Sequence, residues 1–461
     1  DTSPPTITIA SPTNGPSYTA SSSTLSLTGN ASDNVGVMQV TWSNSLGSNG
    51  TASGGASWGA SNIGLFTGTN IITVTARDAA GNTGTTSLVV TYSNGSSTYE
   101  GFGSNVTGGA GGTVVTVTNL NDSGSGSLRQ AATGSNRIVQ FAVAGTINLA
   151  SPVRVTGTNV TIDGLSAPSP GITISSASNG FVISGNPSGP DATGSNILVR
   201  GLRFRNVAED AIQIGYNAHD IVIDHNSLAG SGDGEVDVTE GAYNVTISNN
   251  ILAKNNGSGA SLLATGASRV SYHDNIFYGN DARNPKMDAS YSRFYSSGPQ
   301  HTGTLADFRY NITWNYSIGT YMFSDSSATS QANVVSNLYK SSGTSNPSNV
   351  IVRDSYGSAP QGEAYIQGNI SVHDCRGNAY SENHGSFPYP STNSMNNHAE
   401  FPAPAITGPS VTDQQGRLNK WLAVKNGAGV ISKYADDAVD AEARSAITIP
   451  SISIFSAAWN N

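Results

Sequence analysis

A chain of 461 residues is too long for one small core, and 53 glycines with four methionines favour turn-rich β-structure over helical bundles. Thirty acidic against 21 basic residues leave a net charge of −9 with no basic stripe, which argues against a nucleic-acid partner. The single cysteine, Cys375, excludes an internal disulfide framework and a multi-cysteine zinc site, and no run approaches the roughly 18 apolar residues of a membrane span.

The opening "DTSPPTITIASPTNG" carries no signal peptide and reads as a processed or trimmed start. Residues 1–92 hold short alternating runs, "TITIAS", "TLSLTGNAS", "VMQVTWS", "NIITVTARD" and "TSLVVTYS", which predict a small antiparallel sandwich. The phrases "ASDNVGVMQVTW" and "GTNIITVTARDAAGNTG" resemble bacterial immunoglobulin-like modules found beside secreted carbohydrate enzymes. Asp33 and Asp78 are turn-formers that could hold calcium, and Trp42 and Trp58 are core residues or a sugar platform. Residues 93–98, "SNGSST", read as a linker.

From residue 99 the pattern changes. The runs "NVTIDG", "NILVRG", "DIVIDHN", "NVTISNN" and "RVSYHDN" begin at Asn159, Asn196, Asp220, Asn244 and Arg269, and from Asn196 they recur every 24, 24 and 25 residues. One strand per repeat with alternating apolar positions predicts a solenoid of stacked β coils. "FRYNITWN", "NVVSNLY" and "YIQGNISVHD" continue it more loosely, and Asn226, Asn250, Asn275, Asn311, Asn337 and Asn369 follow their strands at equivalent places. Stacked amides of that kind can satisfy a coil corner, and without a leucine framework the expectation is a parallel β-helix. "SGSGSLRQAAT" predicts a capping helix, and "RLNKWLAV" and "YADDAVDAEARSA" predict helices that pack along the solenoid or close its last coil.

The charged residues cluster. Asp210 lies 23 residues before Asp233, one coil earlier, and Asp237 follows four residues on, with Val236 and Val238 expected inward and Glu235 and Asp237 outward. Carboxylates converging on one face suit a hard, oxygen-seeking cation such as Ca²⁺, or form a solvated acidic patch. Arg283 and Lys286 in "YGNDARNPKM" sit one to two coils further on, where they could bind an acidic polymer or pair with the acids.

In order, "YEGFGSNVTGGAGGTVVTVTNLNDSGSGSLRQA", "NRIVQFAVAGTINL", "NVTIDGLSAP", "NILVRGLRFR", "DAIQI", "IVIDHNSL", "DGEVDV", "NVTISNNIL", "VSYHDNIF" and "RNPKM" resemble a pectate lyase of polysaccharide lyase family 1. The resemblance implies an all-β, right-handed parallel β-helix over 99–461, secreted and monomeric, cleaving polygalacturonate or pectin of the plant cell wall by β-elimination. It implies Ca²⁺ on Asp210, Asp233 and Asp237, with Glu235 a further ligand or neighbour, and Arg283 as the base, followed by Pro285. His225 and Asp224 are expected to support the acidic site by hydrogen bonding.

Arginine is a poor base near neutrality, and a neighbouring cation with Lys286 would favour its neutral form, which predicts an alkaline optimum. Asp288 and Gly259 stand where the family carries basic residues; Lys286, Arg293 or Arg309 are the candidates to bind substrate instead. Methyl-esterified pectin or another uronate polymer stays open as substrate. Tyr278, Trp314, Tyr316 and Tyr321 could stack on sugars or on one another. The competing functions are a β-helical glycoside hydrolase, disfavoured by the lack of "RIK" and Gly-His-Gly segments, and a non-catalytic polysaccharide-binding solenoid.

Overall fold

In the computed structural model the described residues are 1–20, 24–44, 49–65, 68–92, 99–184, 194–257, 259–289, 303–324, 328–342, 351–355, 362–373, 378–381, 399–429 and 437–449. They fall into two units, Asp1–Thr98 and Tyr99–Asn461.

The first unit is built from a four-stranded and a five-stranded sheet that share one core. Alternation drives this: in Thr24–Ser32, every second residue from Leu25 is buried. Trp58 is buried in that core, so it is no sugar platform, and Gly50 lies flat under the Trp42 ring. Asp33 accepts from the Val35 and Gly36 amides and Asp78 from Asn82, as turn-formers do, although their oxygens also lie within 4.8 Å of each other and of Asp1.

The second unit is a β-helix of three parallel sheets. Sheet I runs from Thr113–Val117 to Glu363–Gln367, and sheet II from Gly145–Leu149 to Ile370–His373, closed by an antiparallel strand Asn378–Ser381. Sheet III runs from Val153–Val155 to Ile351–Ser355. The sequence repeat reappears as register: Ile197 lies opposite Ile221, Ile221 opposite Val245, and Val245 opposite Val270. Inward residues of all three sheets, such as Val199, Ile214, Ile223, Leu228, Val238 and Ile247, form one continuous core.

Two corners hold the register. Asn159, Asn196, Asp220, Asn244 and Arg269, the first residues of the five repeats, all have φ between 52° and 59°. Asn and Asp tolerate that left-handed conformation better than most residues, which explains their recurrence. At the corner between sheets I and II, a left-handed residue (His225, Asn249, Asp274, Tyr310, Ser336 or Gly368) precedes each ladder asparagine. The six predicted amides are fully buried. The Asn226 Oδ1 accepts from the Leu202 amide at 3.0 Å, and each later Oδ1 accepts from the backbone N–H and the side-chain NH₂ of the asparagine one coil earlier, as Asn250 does from Asn226 at 2.8 and 3.2 Å. The ladder continues unbroken through Asn275, Asn311, Asn337 and Asn369.

Helix α1 (Leu128–Ala132) starts where Ser127 accepts from the Gln130 amide, and it buries Leu128, Ala131 and Ala132 at the first coils. Helices α2 (Gln414–Gly427) and α3 (Ala438–Ala446) lie along the outer face of sheet II. Leu418, Trp421, Val424 and Ala443 pack there on Ile251, Ile276, Ile312 and Leu338. That packing also buries Tyr278 and Trp314, while Tyr316 is in the main core; of the four aromatic candidates only Tyr321 stays partly exposed.

Replacing Asn275 by Ala removes the acceptor of the buried Asn250 amide and of one Asn250 side-chain N–H, and the side-chain donor to the Ile247 carbonyl. The expected loss is about 2–4 kcal/mol of stability in the β-helix unit, measured by denaturant unfolding followed by far-ultraviolet circular dichroism.

Candidate active site

The site grows out of the register of sheet III. Ile212 pairs with Val236 and Gln213 with Asp237, so Asp210, just before the first strand, comes level with Gly234 one coil on. The Gly234 amide donates to Asp210 Oδ1 at 2.8 Å, and the Leu262 amide donates to Asp237 Oδ1 at 2.9 Å. Asn179, a coil earlier, donates to Asp210 Oδ2 at 3.3 Å. Asp210, Asp233 and Asp237 thereby converge, one oxygen of each lying within 4.8 Å of the others.

Arg283 reaches this cluster from two coils on. Its Nη1 lies 3.2 Å from Asp233 Oδ1 and 3.7 Å from Asp237 Oδ2. The guanidinium is aimed by a tightly held turn. Arg283 is left-handed at φ 53°, its carbonyl accepts from the Ser261 amide at 2.8 Å, and Asn284 donates to the Ile318 carbonyl at 2.8 Å.

Electrostatically the cluster is under-compensated. Burial, reinforced by the neighbouring Asp233 carboxylate, pushes Asp210 up to about 6 despite the Gly234 amide and Arg283. Burial and the charge of Asp210 push Asp237 well above the usual carboxylate range. Asp210 and Asp237 are 6% and 4% exposed, whereas the Asp233 side chain is 44% exposed and marks the mouth.

A spread of 4.8 Å is what two oxygens on one ion at about 2.4 Å can span. The donors are all oxygen and, with Arg283 alone as counter-charge, two negative charges remain. These residues fit a hard divalent cation such as Ca²⁺.

Several expected members fall elsewhere. Glu235 is not in the set: it is fully buried, and its carboxylate accepts from Ser231 N at 3.1 Å and Ser231 Oγ at 2.6 Å. It precedes the strand Val236–Val238, so alternation does not govern it, and burial raises it to about 7. His225 and Asp224 do not support the acids either. Asp224 ends a strand of sheet I and holds His225 Nδ1 at 2.7 Å, Ser248 and Asn249, so the pair stabilises the ladder corner.

Arg309 is likewise in sheet I, opposite His273, with its guanidinium taken by Asp307 and Glu400, which removes it as a substrate ligand at this site. Arg293 lies outside the described residues. Pro285 shapes the turn, its carbonyl accepting from the Tyr321 amide at 3.0 Å. Lys286 is near the site, but its ammonium is 2.8 Å from Asp288.

Three further residues shape the site in ways that spacing and motif do not show. Gly234 is required because a Cβ there would lie 2.2 Å from Asp237 Oδ1 and 2.9 Å from Asp210 Oδ1. Gly259 is required because a Cβ would lie 2.1 Å from the Ala282 carbonyl and 2.8 Å from Arg283 Cβ, so no side chain of any kind fits beside the Arg283 turn. Asn255 ties both regions, donating to the Asp233 carbonyl at 2.6 Å and accepting from Gly257 and Gly259. Its place one coil after Asp233 was the available signal.

Fold and site together define a right-handed β-helix with an acidic pocket on one sheet. Residues 145–298 match the family described as the right handed beta helix region. A probable pectate lyase C of Aspergillus terreus is 35% identical over 243 residues, 52% of each chain. A probable pectate lyase C of Aspergillus fumigatus is 32% identical over 313 residues, 67% of this chain and 68% of that one. A solved pectate lyase from Bacillus sp. N165, in complex with trigalacturonate, is 18% identical with a TM-score of 0.48 over 72% of this chain and 98% of that one. The chain belongs to the pectate lyase family, and it spans about half to two thirds of the length of the curated relatives it matches.

Asp210 and Glu235, with folded pKa values of about 6 and about 7, bind protons more tightly folded than unfolded, so the stability they contribute is present in acid and lost as pH rises through those values. Asp220 and Asp224 are lowered and act in the opposite sense, in a more acidic window. In chelator, calorimetry should therefore show a higher Tm near pH 5.5 than near pH 7.5, a difference reduced in Asp210→Asn and offset at the higher pH by added Ca²⁺.

Proposed function

We propose that this protein is a calcium-dependent pectate lyase that cleaves polygalacturonate or pectin by β-elimination outside the cell. The observation that carries the reading is the meeting of Asp210, Asp233 and Asp237 with Arg283 on the outer face of sheet III, in a chain of the pectate lyase family.

The chemistry to be done is removal of the C5 proton, α to the C6 carboxylate, with loss of the C4 oxygen. The C5–H and C4–O bonds break, a C4–C5 double bond forms, and the departing oxygen takes a proton from solvent. Bound Ca²⁺ would supply positive charge to the uronate carboxylate and so acidify the C5 proton. Asp210, Asp233 and Asp237 would hold that cation, with the Gly234 and Leu262 amides fixing the first and last of them. Arg283, kept within 4 Å of the same carboxylates by its turn, would receive the proton on its guanidine group.

One titration sets the pH profile. A cation must displace protons from Asp210, whose pKa of about 6 weakens cation binding in acid. Activity is expected to be low below about pH 6 and to rise above it.

The experiment is incubation of the full chain with polygalacturonate and Ca²⁺. Unsaturated products absorbing in the near ultraviolet should form, chelator should abolish them, and Arg283→Ala should reduce the rate by at least about 10³-fold. New reducing ends without that absorbance would identify a hydrolase instead. Binding without cleavage would identify a non-catalytic solenoid.

A further inference from the structure

Past the acidic pocket, the outer face of sheet III changes character. The Leu262 amide bonds Asp237, Leu262 pairs with Lys286, and Lys286 pairs with Tyr321, so these side chains form one column rising about 4.8 Å per coil. In the adjacent column Asp288 pairs with Phe323. Lys286 is the one cation in the strands Ile212–Gly215, Val236–Val238, Leu262–Leu263, Lys286–Asp288 and Thr320–Ser324. Its charge is already engaged: Asp288 Oδ2 is 2.8 Å away, and the rings of Tyr321 and Phe323 each lie 5.3 Å from Nζ. The two rings meet edge-on at 5.7 Å and both stay partly exposed.

A de-esterified uronate polymer carries a negative charge on every sugar, so each sugar beyond the reacting one needs its own positive partner. In the described strands from Val236–Val238 onward to Thr320–Ser324 none is provided; Arg154, an exposed cation in the same column, lies three coils to the other side of Asp237. Three aspartates against Arg283 leave two negative charges, which a single divalent cation cancels, and Lys286 with Asp288 adds none. What the next coils offer is an aromatic, charge-neutral floor, which suits an uncharged sugar ring.

Building on the lyase reading, we propose that Lys286, Asp288, Tyr321 and Phe323 form a subsite for a methyl-esterified uronate next to the reacting sugar, with Asp288 as the residue that sets this preference. Asp288 acts by cancelling Lys286; removing its charge turns the floor basic, and removing the lysine turns it acidic.

The test compares kcat/KM on polygalacturonate and on half-esterified pectin, followed through the unsaturated products. The wild-type chain should favour the esterified polymer. Asp288→Asn should shift the ratio toward polygalacturonate by roughly five- to tenfold, chiefly through KM, as expected when Lys286 becomes available for one charge-assisted hydrogen bond to a uronate. Lys286→Gln should shift it the other way; a purely structural role would depress both polymers in both variants alike. Folding of each variant is checked by circular dichroism, and should Asp288→Asn not fold, Lys286→Gln alone carries the test. Unsaturated products with an unchanged preference in the folded variants overturn this inference and leave the lyase reading standing. Absence of unsaturated products from either polymer overturns both.

Discussion

The molecule depends on one repeated constraint: each coil must arrive at the corner between sheets I and II at the same height as the coil before it. A buried amide enforces this, because its oxygen takes two hydrogen bonds from the preceding asparagine and its NH₂ reaches a backbone carbonyl. In a dry corner every one of those groups would be costly if left unmatched, so a slip of one residue is disfavoured at each rung. Such strict register is what brings residues from separate coils to a common point.

The acidic pocket uses that regularity against its own stability. Asp210 and Asp237 are buried next to each other, and a single guanidinium does not cancel them and Asp233. Folding elsewhere supplies the free energy: the continuous apolar core and the ladder hold the carboxylates together despite their repulsion. Gly234 shows how close the packing is, since not even a methyl group fits between the two acids.

Division of labour among the three sheets follows from what covers them. Sheet II is sheathed by α2 and α3, which consume Tyr278 and Trp314. Sheet I carries the ladder corner with Asp224 and His225, and it takes Arg309 into an ion pair with Asp307. The described face of sheet III carries the acids, Arg283 and the Lys286–Asp288 pair with its two aromatic rings. The acidic cluster and the arginine that partly compensates it thus lie on one side of the solenoid.

Much of this is legible in the chain because a solenoid is nearly one-dimensional. A period near 24 residues translates directly into stacking, so the repeat starts, the six ladder asparagines, the capping helix and the proximity of Asp210 to Asp233 can all be read from spacing. Spacing does not say which sheet a residue occupies or where a side chain turns at a corner. His225 looks adjacent to the acids along the chain, yet it belongs to another edge of the triangle. Glu235 shares the alternation of its neighbours on paper, but it precedes the strand and folds back onto Ser231. Lys286 and Arg309 read as available cations until their partners are located. The sequence by itself determined the coil, its register and the chemical types gathered on it, because these depend on periodicity. Tertiary structure alone decided which charges stay available and which are cancelled, because ion pairing depends on distances across coils that no linear spacing records.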